Sequence, residues 1–289
     1  MKLTFLGTGA GEGYPGFWCN CPNCTYARLH KGNNLRTYSA ADIDGCILLD
    51  CGPTAFPNAA RFGLNLTQVH TLLMTHPHED HLVSLQLLWR AVREWPQDTP
   101  LEKLSQYGGA RFTPVQDLEI FGNAYAEAAV SQIYDEETLK RNHMAFRQIH
   151  EGESFITHGY RITPVRANHF KQDYTHNYII EKDGKTLLYA LDTGGYDQDQ
   201  LALLGHYSFN AVIMDGTYGL NDHVDGQHMS LKDNIEMLRF FRENNCCSTD
   251  FRFYVSHMSP HWCPPHDQYV TMLEHYGLIA AYDGLSIEV

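Results

Sequence analysis

Any fold this chain adopts must accommodate Thr75-His76-Pro77-His78-Glu79-Asp80-His81, which follows directly on the apolar run Val69-His70-Thr71-Leu72-Leu73-Met74. A run of that length ending abruptly in polar residues reads as a buried strand feeding a loop. Imidazoles and carboxylates together suit first-row divalent metals such as zinc, manganese and iron. His76 and His78 alternate in a turn and could hold one ion. Asp80 and His81 could turn toward a second ion beside it. A single His-x-His pair would be an ordinary histidine-rich surface loop; the full string asks for more.

His76-x-His78-x-Asp80-His81 behind a strand resembles the signature of the metallo-β-lactamase superfamily. The resemblance implies an α/β fold, a four-layer αββα sandwich of two similar halves with its site at the sheets' shared edge. It covers nearly the whole chain, so residues 1–289 are expected to form a single domain. Lys2–Leu6 reads as an opening strand that breaks at Gly7-Thr8-Gly9-Ala10-Gly11, where glycine permits a tight turn. Strands are also expected over Tyr38–Ile43 and Cys46–Asp50, joined by the hairpin signal Asp44-Gly45. Further strands fall at Leu118–Phe121, Tyr160–Val165, His176–Glu181, Lys185–Leu191, Ala211–Met214 and Phe251–Ser256. Helical spacing marks Pro57–Leu64, Leu82–Arg93, Asn123–Ile133 and Leu231–Arg242, the last with Ser230 as N-cap. Residues 94–115 are Pro-, Gly- and polar-rich and read as an insertion shaping the pocket mouth.

Trp18-Cys19-Asn20-Cys21-Pro22-Asn23-Cys24 places three thiols in C-x-C-x2-C spacing, a compact knuckle whose softness and charge favour zinc. The cluster at 18–24 resembles the N-terminal zinc knuckle of the PhnP-type phosphodiesterases, and PqqB-like proteins begin similarly. By that resemblance Cys19, Cys21 and Cys24 bind a structural zinc, with a histidine near the C-terminal end as fourth ligand. Pro260 stands where the family has that histidine. His261, one residue later, is the expected ligand, and Cys263 is a chemically sound alternative.

The remaining site residues are aligned by the same resemblance. Asp50, closing the second hairpin strand, would orient a ligand histidine from behind. His169 closes a strand and would complete the histidine set of one ion. Asp192, in Leu191-Asp192-Thr193-Gly194-Gly195, would bridge both. His257 would complete the second. One metal would therefore take His76, His78, His169 and Asp192, and the other Asp80, His81, Asp192 and His257. His228 aligns with a general acid beside the metals. Asp215 is left open between a turn former and a supporting group. His143 and His150 read as surface residues, and His266 as lying on the surface of a following helix.

Composition narrows the substrate. The formal charge is −13 with only 21 Lys and Arg, and no basic run appears, so nucleic acid and anionic membrane are poor partners. A small anionic substrate remains open, because bound cations supply local positive charge. No apolar stretch reaches the ~18–20 residues of a membrane span, and the first residues are too short for a signal-peptide core. A cytoplasmic protein is the simplest expectation. The eight cysteines then read as metal ligands or free thiols rather than disulfides. Two divalent ions, manganese, zinc or iron, would clamp a phosphoryl group and generate the attacking hydroxide. The resemblance thus implies a phosphodiesterase, cleaving small, cyclic esters of a sugar or nucleotide. Alternatives on the same fold are a lactone or thioester hydrolase, or a PqqB-like non-hydrolytic protein of cofactor assembly. A homodimer is the commonest oligomeric prior.

Overall fold

In a computed structural model the structure describes residues 1–90, 100, 116–171, 174–222 and 226–289. Fourteen strands are formed among them. The first six are β1 (Lys2–Gly7), β2 (Ala40–Ile43), β3 (Ile47–Leu49), β4 (Thr71–Leu73), β5 (Leu118–Gly122) and β6 (Met144–Gln148). Then come β7 (Phe155–Thr157), β8 (Tyr160–Arg166), β9 (His176–Lys182) and β10 (Lys185–Ala190). The last are β11 (Phe209–Asp215), β12 (Cys247–Ser256), β13 (Ile279–Ala280) and β14 (Ser286–Glu288). One sheet runs β14-β1-β2-β3-β4-β5-β6 and the other β13-β12-β11-β10-β9-β8-β7. Each is mixed: β3 to β6 pair in parallel, as do β10 to β13, while the remaining neighbours are antiparallel.

The layering follows from side-chain alternation along strands buried on both faces. Ile47 and Leu49 of β3 point inward with Leu187 and Tyr189 of β10 and Ala211 and Ile213 of β11, making the core between the sheets. Leu48 points the other way, into a core shared with helices Ala55–Arg61 and Ala124–Ser131. Leu188, Ala190, Val212 and Met214 likewise face helices Gln198–Leu204, Leu231–Glu243 and His266–His275. Helix, sheet, sheet, helix is the expected order. Three hairpin turns each have two successive residues at positive φ, Asp44 and Gly45 (53° and 73°), His158 and Gly159 (47° and 84°), and Asp183 and Gly184 (50° and 73°), as a tight turn matched to strand twist requires. Ser230 caps the helix Leu231–Glu243, accepting from Asp233 N–H in a reciprocal capping box.

Two expectations are corrected. Within the segment expected as a helix over Leu82–Arg93, the described residues form a 3-10 helix over Ser84–Arg90, and 91–93 lie outside the described residues. Its buried residues, Ser84 and Leu87, are three apart and suit three residues per turn, whereas Leu85 and Leu88 are exposed. His266 is buried rather than on the surface, because Arg36, far away in sequence, reaches its Nδ1 at 3.1 Å. The insertion expected at 94–115 lies, residue 100 apart, outside the described residues. No described helix is long and apolar enough to cross a membrane.

Candidate metal centre

Every candidate ligand stands at or just past a strand end, so the two sheets deliver them to one edge. Asp50 follows β3, Thr75 to His81 follow β4, His169 follows β8, Asp192 follows β10, Asp215 ends β11 and His257 follows β12. Asp50, Asp192 and His257 share a device: φ is 61°, 51° and 58° respectively. That left-handed conformation turns the chain sharply as the strand stops. Outside glycine it is uncommon, and asparagine, aspartate and histidine are the side chains most often found there.

The side chains form two linked sets. In the first, His76 Nε2 lies 2.8 Å from His78 Nδ1, which lies 3.3 Å from His169 Nε2. In the second, His81 Nε2 and His257 Nε2 are 3.2 Å apart. Asp80 Oδ2 sits 3.3 Å from the former and 3.6 Å from the latter. Asp192 stands between the sets, with Oδ2 at 2.9 Å from His81 Nε2 and 3.1 Å from His257 Nε2, and Oδ1 at 3.8 Å from His169 Nε2. Gly11 closes one wall: a Cβ added there would come within 3.1 Å of Asp80 Oδ2. All seven residues are thus brought together.

These donors fit divalent cations. Asp192 Oδ2 is buried yet accepts no hydrogen bond of proper geometry, although imidazole nitrogens surround it. Asp50 Oδ2 accepts from His81 Nδ1 at 2.7 Å, leaving a lone pair on His81 Nε2 aimed at the carboxylates. Lone pairs of nitrogen and oxygen facing each other in a buried space need a cation between them. Electrostatics without one shows the same demand. Burial depresses His81 and His257, but Asp192 and their other carboxylate neighbours outweigh it and hold both above the usual histidine range. Burial raises Asp80 and Asp192, yet the histidines bring both carboxyls well below the ordinary value. His76, His78 and His169 are pushed down, chiefly by burial, and so are held neutral, the form that ligates.

Asp50 is fully buried and, besides His81, accepts from Thr75 N–H at 2.8 Å. Asp215, left open by the sequence, proves to be a hub. Its carboxylate accepts from Asp192 N–H at 3.0 Å, Met229 N–H at 3.0 Å and Thr217 Oγ1 at 3.0 Å. His228 Nδ1 is 3.0 Å from Asp215 Oδ2, and its ring stacks at 5.7 Å on that of His257. Thr217, which the sequence reading missed, also lies 2.8 Å from His257 Nδ1; a lone threonine after a strand carries no local signal.

The thiols of Cys19, Cys21 and Cys24 cluster within 4.8 Å of one another. Backbone N–H groups point at them, from Gly16 to Cys24 Sγ at 3.3 Å and from Cys21 to Cys19 Sγ at 3.4 Å. His261 Nδ1 is 4.0 Å from Cys19 Sγ. Cys263 instead donates to Gly216 O at 3.1 Å in the interior. His261 Nε2 faces Glu12 Oε1 at 3.9 Å, and Glu12 accepts from Ser259 Oγ.

A family model described as the β-lactamase superfamily domain matches residues 46–249. The chain belongs to that superfamily and has the metallo-β-lactamase fold. Among characterised relatives, coenzyme PQQ synthesis protein B of Nitrosococcus oceani is 25% identical over 264 residues, 82% of this chain and 80% of that protein. Ribonuclease Z of Listeria innocua is 27% identical over 194 residues, 66% of this chain; the chain thus spans about half (52%) of that relative's length. In structure it is similar to a diphosphatase of the PhnP family (TM-score 0.72, 19% identity, 100% and 96% of the two chains). It is similar also to zinc-bound PqqB of Methylobacterium extorquens (TM-score 0.73, 19% identity, 100% of both chains). The chain is a hydrolase-like protein of this fold, with clustered His and Asp side chains suited to divalent metal ions.

Proposed function

We propose that this protein is a metal-dependent phosphodiesterase for small, cyclic phosphodiesters of a sugar or nucleotide. The observation that carries the reading is Asp192, whose two oxygens face both histidine sets while buried Oδ2 accepts no hydrogen bond of proper geometry. His76, His78 and His169 would hold one ion and Asp80, His81 and His257 the other, with Asp192 shared. Two such ions supply positive charge to the phosphoryl oxygens and lower the pKa of water. The chain's own residues do the rest. Asp50 fixes the His81 tautomer. Asp215 accepts from His228 Nδ1, so the opposite nitrogen can carry the proton that the departing oxygen needs. Cys19, Cys21, Cys24 and His261 would hold a structural zinc. A small anionic substrate suits a chain of charge −13 better than nucleic acid does.

The likeness to PQQ synthesis protein B over most of both chains favours a second reading, a non-hydrolytic metalloprotein of cofactor assembly. Hydrolysis of bis(p-nitrophenyl) phosphate by manganese- or zinc-loaded protein, with a metal count, decides between them. Turnover with about three metals per chain, abolished in His78→Ala, is expected. Metal-replete protein with no turnover would refute the phosphodiesterase.

A further inference from the structure

The loop that carries His169 holds an arrangement that metal ligation does not use. Phe170 has a φ of 62°, a conformation that a bulky L-residue rarely adopts. The residue is 59% exposed, so burial does not compensate the strain. The backbone is nonetheless fixed, with Phe170 N–H donating to Gln227 Oε1 at 3.0 Å. Phe170 and Tyr174 stand around His78, with ring centroids 5.5 Å and 5.1 Å from it. Beside them, Lys171 Nζ lies over the rings of Tyr125 at 4.1 Å, Tyr174 at 5.1 Å and Phe170 at 5.6 Å.

The cage is itself anchored. Tyr174 O accepts from Asn123 Nδ2 at 2.7 Å, and Asn123 caps the helix that carries Tyr125. Lys171 forms no ion pair among the described residues, unlike Arg166, Lys182 and Lys185. An ammonium is thus pre-placed one ring away from a candidate ligand histidine, where carboxylates otherwise dominate. A cleft of about 480 Å³, lined in part by Asn168, His169, Phe170 and Lys171, opens alongside. That is room for a small ligand.

We propose that Phe170 and Lys171 form a substrate clamp for a nucleoside phosphate: the exposed phenyl face stacks on the base, and the ammonium meets the phosphoryl oxygens. This rests on the phosphodiesterase reading and narrows its substrate from any small phosphodiester to one that bears a nucleobase. Every base has a π-face, so stacking selects the class and not the letter. The ammonium adds a charge-assisted contact that discriminates for phosphate.

Calorimetric binding of adenosine 5′-monophosphate and ribose 5-phosphate to the metal-loaded full chain tests the clamp, because the two differ by the base alone. The wild type should prefer the nucleotide by about five- to a hundredfold. Phe170→Ala should erase that preference and Phe170→Tyr should keep it. Lys171→Met should weaken both ligands alike, by about tenfold or more. Equal affinities in the wild type, no binding of either ligand, or a preference that survives Phe170→Ala overturns the clamp. Binding is read without turnover. A protein that cleaves bis(p-nitrophenyl) phosphate but ignores the base refutes the clamp alone, and a base preference without diesterase activity refutes the phosphodiesterase alone.

Discussion

Asp50→Asn separates the role of a buried carboxylate in stability from its role in tuning a ligand. Asp50 Oδ1 accepts from Thr75 N–H at 2.8 Å, and Oδ2 accepts from His81 Nδ1 at 2.7 Å. An amide has one oxygen, so in either orientation its NH2 opposes a donor. If the NH2 faces Thr75 N–H, a buried backbone donor is unpaired; if it faces His81, the imidazole proton moves to Nε2. That nitrogen lies 2.9 Å from Asp192 Oδ2, and its lone pair is then no longer available to a cation. The unpaired group costs about 1–3 kcal/mol, a fall of several degrees in melting temperature for a chain of this size. Loss of the oriented tautomer costs about 10–100-fold in metal affinity. Chelator competition with zinc or manganese, read beside thermal melting, measures both. A variant that neither melts lower nor binds metal more weakly would refute the reasoning, since one amide orientation predicts the first loss and the other the second.

Two further outcomes follow from named contacts. His228→Ala should slow cleavage of an alkyl phosphodiester by about 10²–10⁴-fold and affect a p-nitrophenyl ester far less, because a good leaving group needs little protonation; equal losses in steady-state rates would remove His228 as the acid. His266 accepts from Arg36 Nη2 at 3.1 Å, and burial, with the Arg36 charge, pushes its pKa down to about 4. Tyr282 packs edge-on against the ring and Asp267 lies next in the chain. The unfolded chain therefore binds a proton near pH 6.5 that the folded one refuses, so stability falls as pH drops from about 6.5 toward 4. His266→Gln should flatten that part of a melting-temperature profile; an unchanged slope would sink the assignment.

What the sequence made legible depended on how local the signal was. His76 to His81 announce themselves because one strand and one turn carry four candidate donors. Asp192 was readable from its strand-end context, and the thiols of Cys19, Cys21 and Cys24 from their spacing. Asp215 was not, since its partners Asp192, His228 and Met229 come from three separate stretches. Thr217 and Glu12 act through residues distant in sequence and were invisible for the same reason. His266 was misread because periodicity knows nothing of Arg36. Over Ser84–Arg90 the kind of helix was misread because the apolar pattern fits three residues per turn as well as 3.6 when exposed leucines are counted as core.

The strand ends have a further consequence. His76, His78, Asp80 and His81 hang from one sheet, and His169, Asp192 and His257 from the other. A cation bound among them is a rivet through the seam between two halves, and neither half owns enough donors to retain it alone. Its escape would then wait on the sheets parting at that edge, so the rate of metal exchange becomes a clock for how often the sandwich breathes.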